Sequence, residues 1–368
     1  QRPSLLGNTV SESDYVNVGI PAWELDFFGR IQSLKEASLS QYLATEEARK
    51  ATQISLVAAV ATGWLAIIAD EESMQITRDT LATREEGLKL SKLRFDNGVI
   101  SEIDLRLAES LTENARATYA QQQRLRLQDE NALALLLGTP VPADTIKGGL
   151  GALDAVGPMA DVPAGLPSDL LNQRPDIRQA EQQLLAANAN IGAARANFFP
   201  RITLTATYGT ASNELSGLFK SGSEAWSFAP SLVLPIFDYG ANSARLDSAW
   251  ANRDIAVAQY EKSIQSAFRE VADALAGRAT LGDQLDALRK TAAAEEARFR
   301  LSDLRYRNGV ANALDLQDAQ RSLFTAQLAA TQTRLAQLQN QVLLFKALGG
   351  GWTSREVAAS AAPATTSR

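Results

Sequence analysis

The 368-residue sequence predicts a mixed, mainly α fold: long coiled-coil helical hairpins joined to strands of a transmembrane β-barrel. Three observations predict it. One module occurs twice at a fixed offset. Each copy contains a helix-forming run far longer than a globular helix. Three short segments alternate apolar and polar residues with period two.

The duplication is read first, because a missed repeat misassigns everything else. LRFDNGV at 93–99 returns as LRYRNGV at 304–310, so Gly98 maps to Gly309 at an offset of 211 residues. The offset also maps Gly29 to Gly240, Val60 to Val271, Ala61 to Ala272, Asp104 to Asp315, Leu105 to Leu316 and Ala108 to Ala319. Leu137-Gly138 maps to Leu348-Gly349. The helical modules therefore span residues 29–138 and 240–349. Residue 1 maps to Ser212, so the opening helix and first strand of the first copy are missing, and the chain reads as an N-terminally truncated piece.

Residues 30–95 contain no Pro and only two Gly, and are rich in Ala, Leu, Glu, Gln, Arg and Lys. Residues 241–306 have the same character. Each run predicts a helix of about 65 residues, roughly 100 Å long, which implies a coiled-coil-like assembly. Ile264, Phe268, Val271, Ala272 and Leu275 form one apolar stripe. Phe324, Leu328, Leu335, Leu338, Val342 and Phe345 form a heptad-like seam. Asn97-Gly98 and Asn308-Gly309 are turn signals that place two equivalent hairpin tips.

Residues 54–69 are the one candidate membrane helix. A 16-residue run gives about 24 Å against a hydrocarbon core of about 30 Å. Its repeat counterpart, 265–280, carries Arg269, Glu270, Asp273 and Arg278, which cannot sit in lipid. The run therefore reads as a buried packing segment.

Val16, Val18, Ile20 and Ala22 alternate with Asn17, Gly19 and Pro21. Ile202, Leu204, Ala206 and Tyr208 alternate with Arg201 and threonines. Trp226, Phe228, Pro230, Leu232 and Leu234 alternate with small residues and Val233. One apolar and one small or polar face is the pattern of a membrane β-barrel, and Pro21, Pro230 and Pro235 oppose a central strand of a soluble sheet. Trp23 and Trp226 suit interfacial anchors. So few strands cannot close a barrel alone, which predicts that copies of the chain share one.

The domain reading is then strand and loop of the first copy at 1–28, first hairpin module at 29–138 and a Pro/Gly-rich connection at 139–167. The helix of the second copy follows at 168–199, with Ser168 or Asp169 as a possible cap for the turn before it, then a strand pair at 200–239, the second hairpin module at 240–349 and a tail at 350–368. Residues after Trp352 read as disordered.

Composition excludes much chemistry. There is no Cys and no His, so disulfides, Cys/His zinc sites and His-dependent nucleophilic catalysis are ruled out. Lys and Arg total 36 against 42 Asp and Glu, a net charge of −6 with no basic run, which opposes nucleic-acid binding. No catalytic constellation, metal site or cofactor site is expected. Asp315, Asp318 and Arg321 share a helix face near the second tip, and the plain reading is a solvated face with a local ion pair. Their counterparts are Asp104, Leu107 and Ser110, so the two tips have diverged. In an oligomeric tube one such Asp per chain would form an acidic ring that attracts cations and narrows the pore.

Several strings carry a family resemblance. RPDIRQAEQQLLAANANIGAARANFFPRITL at 174–204, AWELDFFGRI at 22–31 and LPIFDYG at 234–240 resemble the TolC-type outer-membrane efflux channels of the NodT/OprM branch. So do AQYEKSIQSAFREVADAL at 258–275, LQDAQRSLFTAQ at 316–327 and ALGGGW at 347–352. The resemblance implies a homotrimer in the outer membrane of a Gram-negative bacterium, each protomer adding four strands to a shared twelve-stranded barrel and helices to a periplasmic α-barrel. It makes 139–167 and the C-terminal tail an equatorial domain. It implies a passive exit channel of a tripartite multidrug efflux pump, with a periplasmic adaptor and an inner-membrane RND transporter as partners. Gly98, Val99, Ile100 and Ser101, with Gly309, Val310, Ala311 and Asn312, would be the adaptor-docking tips. Asp318 would be the aperture acid, Arg321 a tip lock and Leu314 an inner constriction, with Asp315 beside them. The family's lipid-bearing Cys is absent from the sequence. The alternatives are a type I secretion duct, which drug-susceptibility and secretion assays would separate, and a soluble helical scaffold, which the strand alternation opposes.

Overall fold

The computed structural model describes residues 13–142, 146, 148–157 and 174–350. Ser168, Asp169 and the tail after Trp352 lie outside the described residues. The element order is β1 (Asp14–Leu25), α1 (Arg30–Asp96), α2 (Glu102–Leu137), α3 (Ala152–Ala155), α4 (Pro175–Ala196), β2 (Arg201–Ser212), β3 (Glu224–Val233), α5 (Ala241–Arg307) and α6 (Ala313–Ala347). The 211-residue offset maps both ends of α1 onto those of α5 and the start of α2 onto that of α6. The chain divides into one unit of residues 1–46 and 178–262 and another of 47–177 and 263–368.

In the first unit, β1, β2 and β3 form an antiparallel sheet with β2 in the middle. The register sorts the side chains into rows. Val18, Tyr208 and Trp226 lie across one row, and Ile20, Ala206 and Phe228 across the next. The apolar face follows as the alternation requires. The other face carries Asn17, Gly209, Thr207, Thr205 and Ser227, with the Thr207 and Ser227 hydroxyls 2.6 Å apart. One expectation is corrected. The register shifts between Ile20 and Trp23, so Trp23, not Ala22, pairs with Leu204 and joins the apolar row. Pro21 has no N–H to donate, and its carbonyl instead accepts from the Thr205 hydroxyl at 2.9 Å. Leu234 falls just past the end of β3.

Below the sheet, Glu24 joins β1 to the start of α1. It accepts from Arg30 Nε and Nη2 at 2.7 and 2.6 Å and from Arg201 Nε at 2.6 Å. Phe28 stacks on Phe199 with ring centroids 4.6 Å apart. Asp26 and Asp238 cap the helix starts, accepting from the backbone N–H of Gln32 (2.7 Å) and Asn242 (2.8 Å). Close approach between α4 and α1 needs a small residue. A Cβ at Gly192 would lie 2.6 Å from Ser33 Oγ.

In the second unit the core joins Ala58, Leu65, Ile68 and Ala69 of α1 to Leu153 of α3 and Leu338 and Val342 of α6. Helix α1, which contains the run at 54–69, is long and apolar enough to cross a membrane by length and composition. Ala58, Leu65, Ile68 and Ala69 of that run belong to this protein core, while Leu56 and Val57 are exposed. Glu72 fastens α3 and α6 to α1, accepting from Leu153 N at 3.2 Å and Thr331 Oγ1 at 3.3 Å. Buried Arg174 bonds the Ala347 carbonyl at 3.0 Å and Glu270 at 2.8 Å.

The stripe Ile264–Phe268–Val271–Ala272–Leu275 is not the buried face of α5. On this stretch the buried residues are Ala267 and Ala274, while Phe268 and Ala272 are exposed and Ile264, Val271 and Leu275 are half-buried. Small residues allow close helix approach, and Ala267 and Ala274 supply them on this stretch of α5, with Leu285 buried further along. Asn340 Nδ2 reaches the Ala274 carbonyl at 2.9 Å because Gly277 leaves it room.

Candidate channel tips

Both hairpin tips are closed by the same backbone bonds. At the first, Gly98 N donates to Phe95 O and Val99 N to Arg94 O, both at 2.8 Å. At the second, Gly309 N donates to Tyr306 O at 3.0 Å and Val310 N to Arg305 O at 2.9 Å. This paired pattern ends a helix on a left-handed residue, and Gly98 and Gly309 both have φ of +71°. Asn97 and Asn308 add side-chain bonds to the carbonyls of Leu93 and Leu304. The next helices start on Ser101 and Asn312, whose side chains accept from the N–H of Asp104 and Asp315. Val99 and Val310 project outward, 69% and 68% exposed. Ile100 and Ala311 are half-buried beside them.

The acids then differ between copies. Asp104 returns to its own cap, accepting from Ser101 Oγ at 2.8 Å. Asp315 is exposed, and among the described residues its carboxylate has no partner. Asp318 sits in a chain of charges. Arg298 Nη2 donates to its Oδ2 and Arg321 Nη2 to its Oδ1, each at 2.5 Å, and Arg298 also holds Glu295 at 3.1 Å. The Arg298 hydrogen bond is the largest cause holding the Asp318 carboxyl below its ordinary pKa. The local ion pair expected of Asp318 and Arg321 is present, but Arg298 engages the same carboxylate. Leu314 is exposed one turn earlier.

Sequence reasoning missed Arg298, Arg94 and Tyr306. Arg94 Nη1 donates to the Tyr306 hydroxyl at 2.5 Å and lies 4.9 Å from its ring centroid, joining the two hairpins. A signal was available: the counterpart of Tyr306 is Phe95, so only the second copy carries the hydroxyl. Likewise Arg298 corresponds to Gly87.

The sequence profile described as "Outer membrane efflux protein" matches residues 2–139 and 166–350. This chain belongs to the outer membrane efflux protein family. It is 48% identical over 350 residues to the antibiotic efflux pump outer membrane protein ArpC of Pseudomonas putida, covering 95% of this chain and 72% of that one. It is 49% identical over 347 residues to the solvent efflux pump outer membrane protein SrpC of Pseudomonas putida, covering 94% and 73%. Among solved structures it is similar to the open state of the MtrE outer membrane channel of Neisseria gonorrhoeae. That match has a TM-score of 0.84 and 45% identity, and covers 95% of this chain and 78% of that one. As a member of this family the protein is an outer-membrane exit component of an efflux pump. The two hairpins and the three-stranded sheet are the helical and membrane parts of that architecture.

Proposed function

We propose that three copies of this chain form one passive exit duct for antibiotics and organic solvents, docked to a periplasmic adaptor and an inner-membrane RND transporter that supplies the energy. The observation that carries this reading is the sheet. Its two outer strands, β1 and β3, each have an unpaired edge, and its apolar face is exposed, with Val18 at 82% and Trp226 at 75%. In lipid an open edge leaves backbone N–H and C=O groups without partners, at a cost of several kcal/mol each, so edges must be closed by other copies. The proposed cargo follows the names of the relatives.

In this reading the two tips dock the adaptor through Gly98–Ser101 and Gly309–Asn312, and Leu314, Asp315, Asp318 and Arg321 line the aperture. Residues 139–167 and 350–368 belong to the equatorial region. Transport needs no bond making, so the protein works without catalytic residues or cofactor.

Native mass spectrometry of the full-length protein tests the assembly, with a trimer expected and a clean monomer contradicting it. Expression in a strain lacking its own outer-membrane channel, together with the cognate adaptor and transporter, should restore tolerance to antibiotics and toluene. Unchanged susceptibility would remove the efflux role.

A further inference from the structure

The second unit contains a cleft of about 610 Å³ walled by α1, α2, α5 and α6. Arg84 lines it and is only 6% exposed. Its Nη1 donates to the Leu111 carbonyl at 2.8 Å, and its guanidinium lies 5.4 Å from the Phe324 ring centroid. Its Nε is buried without a hydrogen-bond partner. Among the described residues no carboxylate pairs with it. Of the acids along the cleft, Asp303 is held by Arg307 at 2.8 Å and Glu86 is exposed. A buried cation without a counter-ion is costly, and guanidinium stays charged in a protein. Burial lowers the Arg84 pKa without a compensating acid.

Two further features line the same space. Gln317, on α6, presents a buried side-chain oxygen without a partner, and rotation of the amide would present its NH2 instead. Gly87, one turn after Arg84, lines the cleft in ordinary helical conformation, and a Cβ there would meet nothing within 4 Å. Glycine inside a helix costs about 1 kcal/mol relative to alanine, and here neither backbone angle nor crowding requires it. The duplication supplies the comparison. In the second copy the counterparts of Arg84 and Gly87 are Glu295 and Arg298, which pair with each other. In the first copy the same two positions hold an uncompensated cation beside a residue with no side chain.

We propose that this cleft is a binding site for an amphipathic monoanion, with its carboxylate on the Arg84 guanidinium and the Gln317 amide and its apolar body against Leu88, Leu111, Phe299 and Leu316. The site stands independently of the conduit reading, since it is complete within one chain.

The test uses the intact protein in lipid nanodiscs with 1-naphthoate as probe and neutral 1-naphthylmethanol as control. Saturable naphthoate binding is expected, weakened about tenfold or more in Arg84→Gln, as loss of a charge-assisted hydrogen bond implies. Gly87→Leu keeps Arg84, favours the helix and fills the cleft, so it should abolish binding while leaving thermal stability intact. If Arg84→Gln does not fold, Gly87→Leu decides alone. No saturable binding, equal affinity for the two probes, or wild-type affinity in Gly87→Leu would each overturn the site.

Discussion

The Tyr306 hydroxyl accepts a hydrogen bond from Arg94, tying together two hairpins whose tips are a repeat length apart in sequence. Tyr306→Phe removes the bond and keeps the ring under the guanidinium, whereas Arg94→Ala removes both contacts. A double-mutant cycle on unfolding free energy should give a coupling of about 1–2 kcal/mol, with Tyr306→Phe the milder single change. Additive single effects would show that the contact contributes nothing.

Asp315 and Asp318 should separate by their charge balance. Asp315 is the exposed acid without a partner, so Asp315→Asn is expected to lower cation preference in planar bilayers and leave thermal stability unchanged. Asp318→Ala removes the carboxylate that Arg298 and Arg321 share, loosens α5 from α6 and should raise conductance. Identical conductance and selectivity in both variants would take these residues out of the aperture.

The tips offer a cleaner test of docking than the glycines do. Val310→Asp changes an exposed side chain and leaves the closing backbone bonds intact, so folding should persist while adaptor crosslinking at the tip falls. Gly309→Ala instead forces a Cβ into the left-handed region at a cost of about 1–2 kcal/mol, and should lower stability first. Normal crosslinking in Val310→Asp would place the adaptor elsewhere.

Stability should depend on Asp70. Burial is the largest cause of its pKa being pushed up to about 7, with Asp129 and Glu71 adding repulsion and Arg126 opposing them. The folded state therefore holds a proton that the unfolded chain releases near pH 4. This contribution is fully present below that pH and is lost as pH rises toward 7. Asp70→Asn should flatten that slope and stabilise the protein at pH 8 by about 1–2 kcal/mol, allowing for solvent screening. A parallel pH profile in the variant would exclude Asp70 as the source.

Much of this protein could be read without coordinates. Gly98 and Gly309 announced both tips, because a helix that must reverse needs a residue tolerant of positive φ. The offset between them also removed 54–69 from the membrane by comparison with a charged counterpart. The strands were legible by alternation, except where Pro21 forced a bulge and moved Trp23 onto the apolar row. The charge chain was half legible. Asp318 and Arg321 lie three residues apart on one helix, but Arg298 reaches Asp318 from another.

Local periodicity, duplication and the absence of Cys and His thus determined the helical hairpins, the strand faces and the chemistry the chain excludes, since each depends only on residue type and spacing. Which helix face is buried, which acid is left without a partner and where Arg84 lies uncompensated depend on helices distant in sequence. Pairing and burial arise only when those helices pack, so the tertiary structure alone decided them.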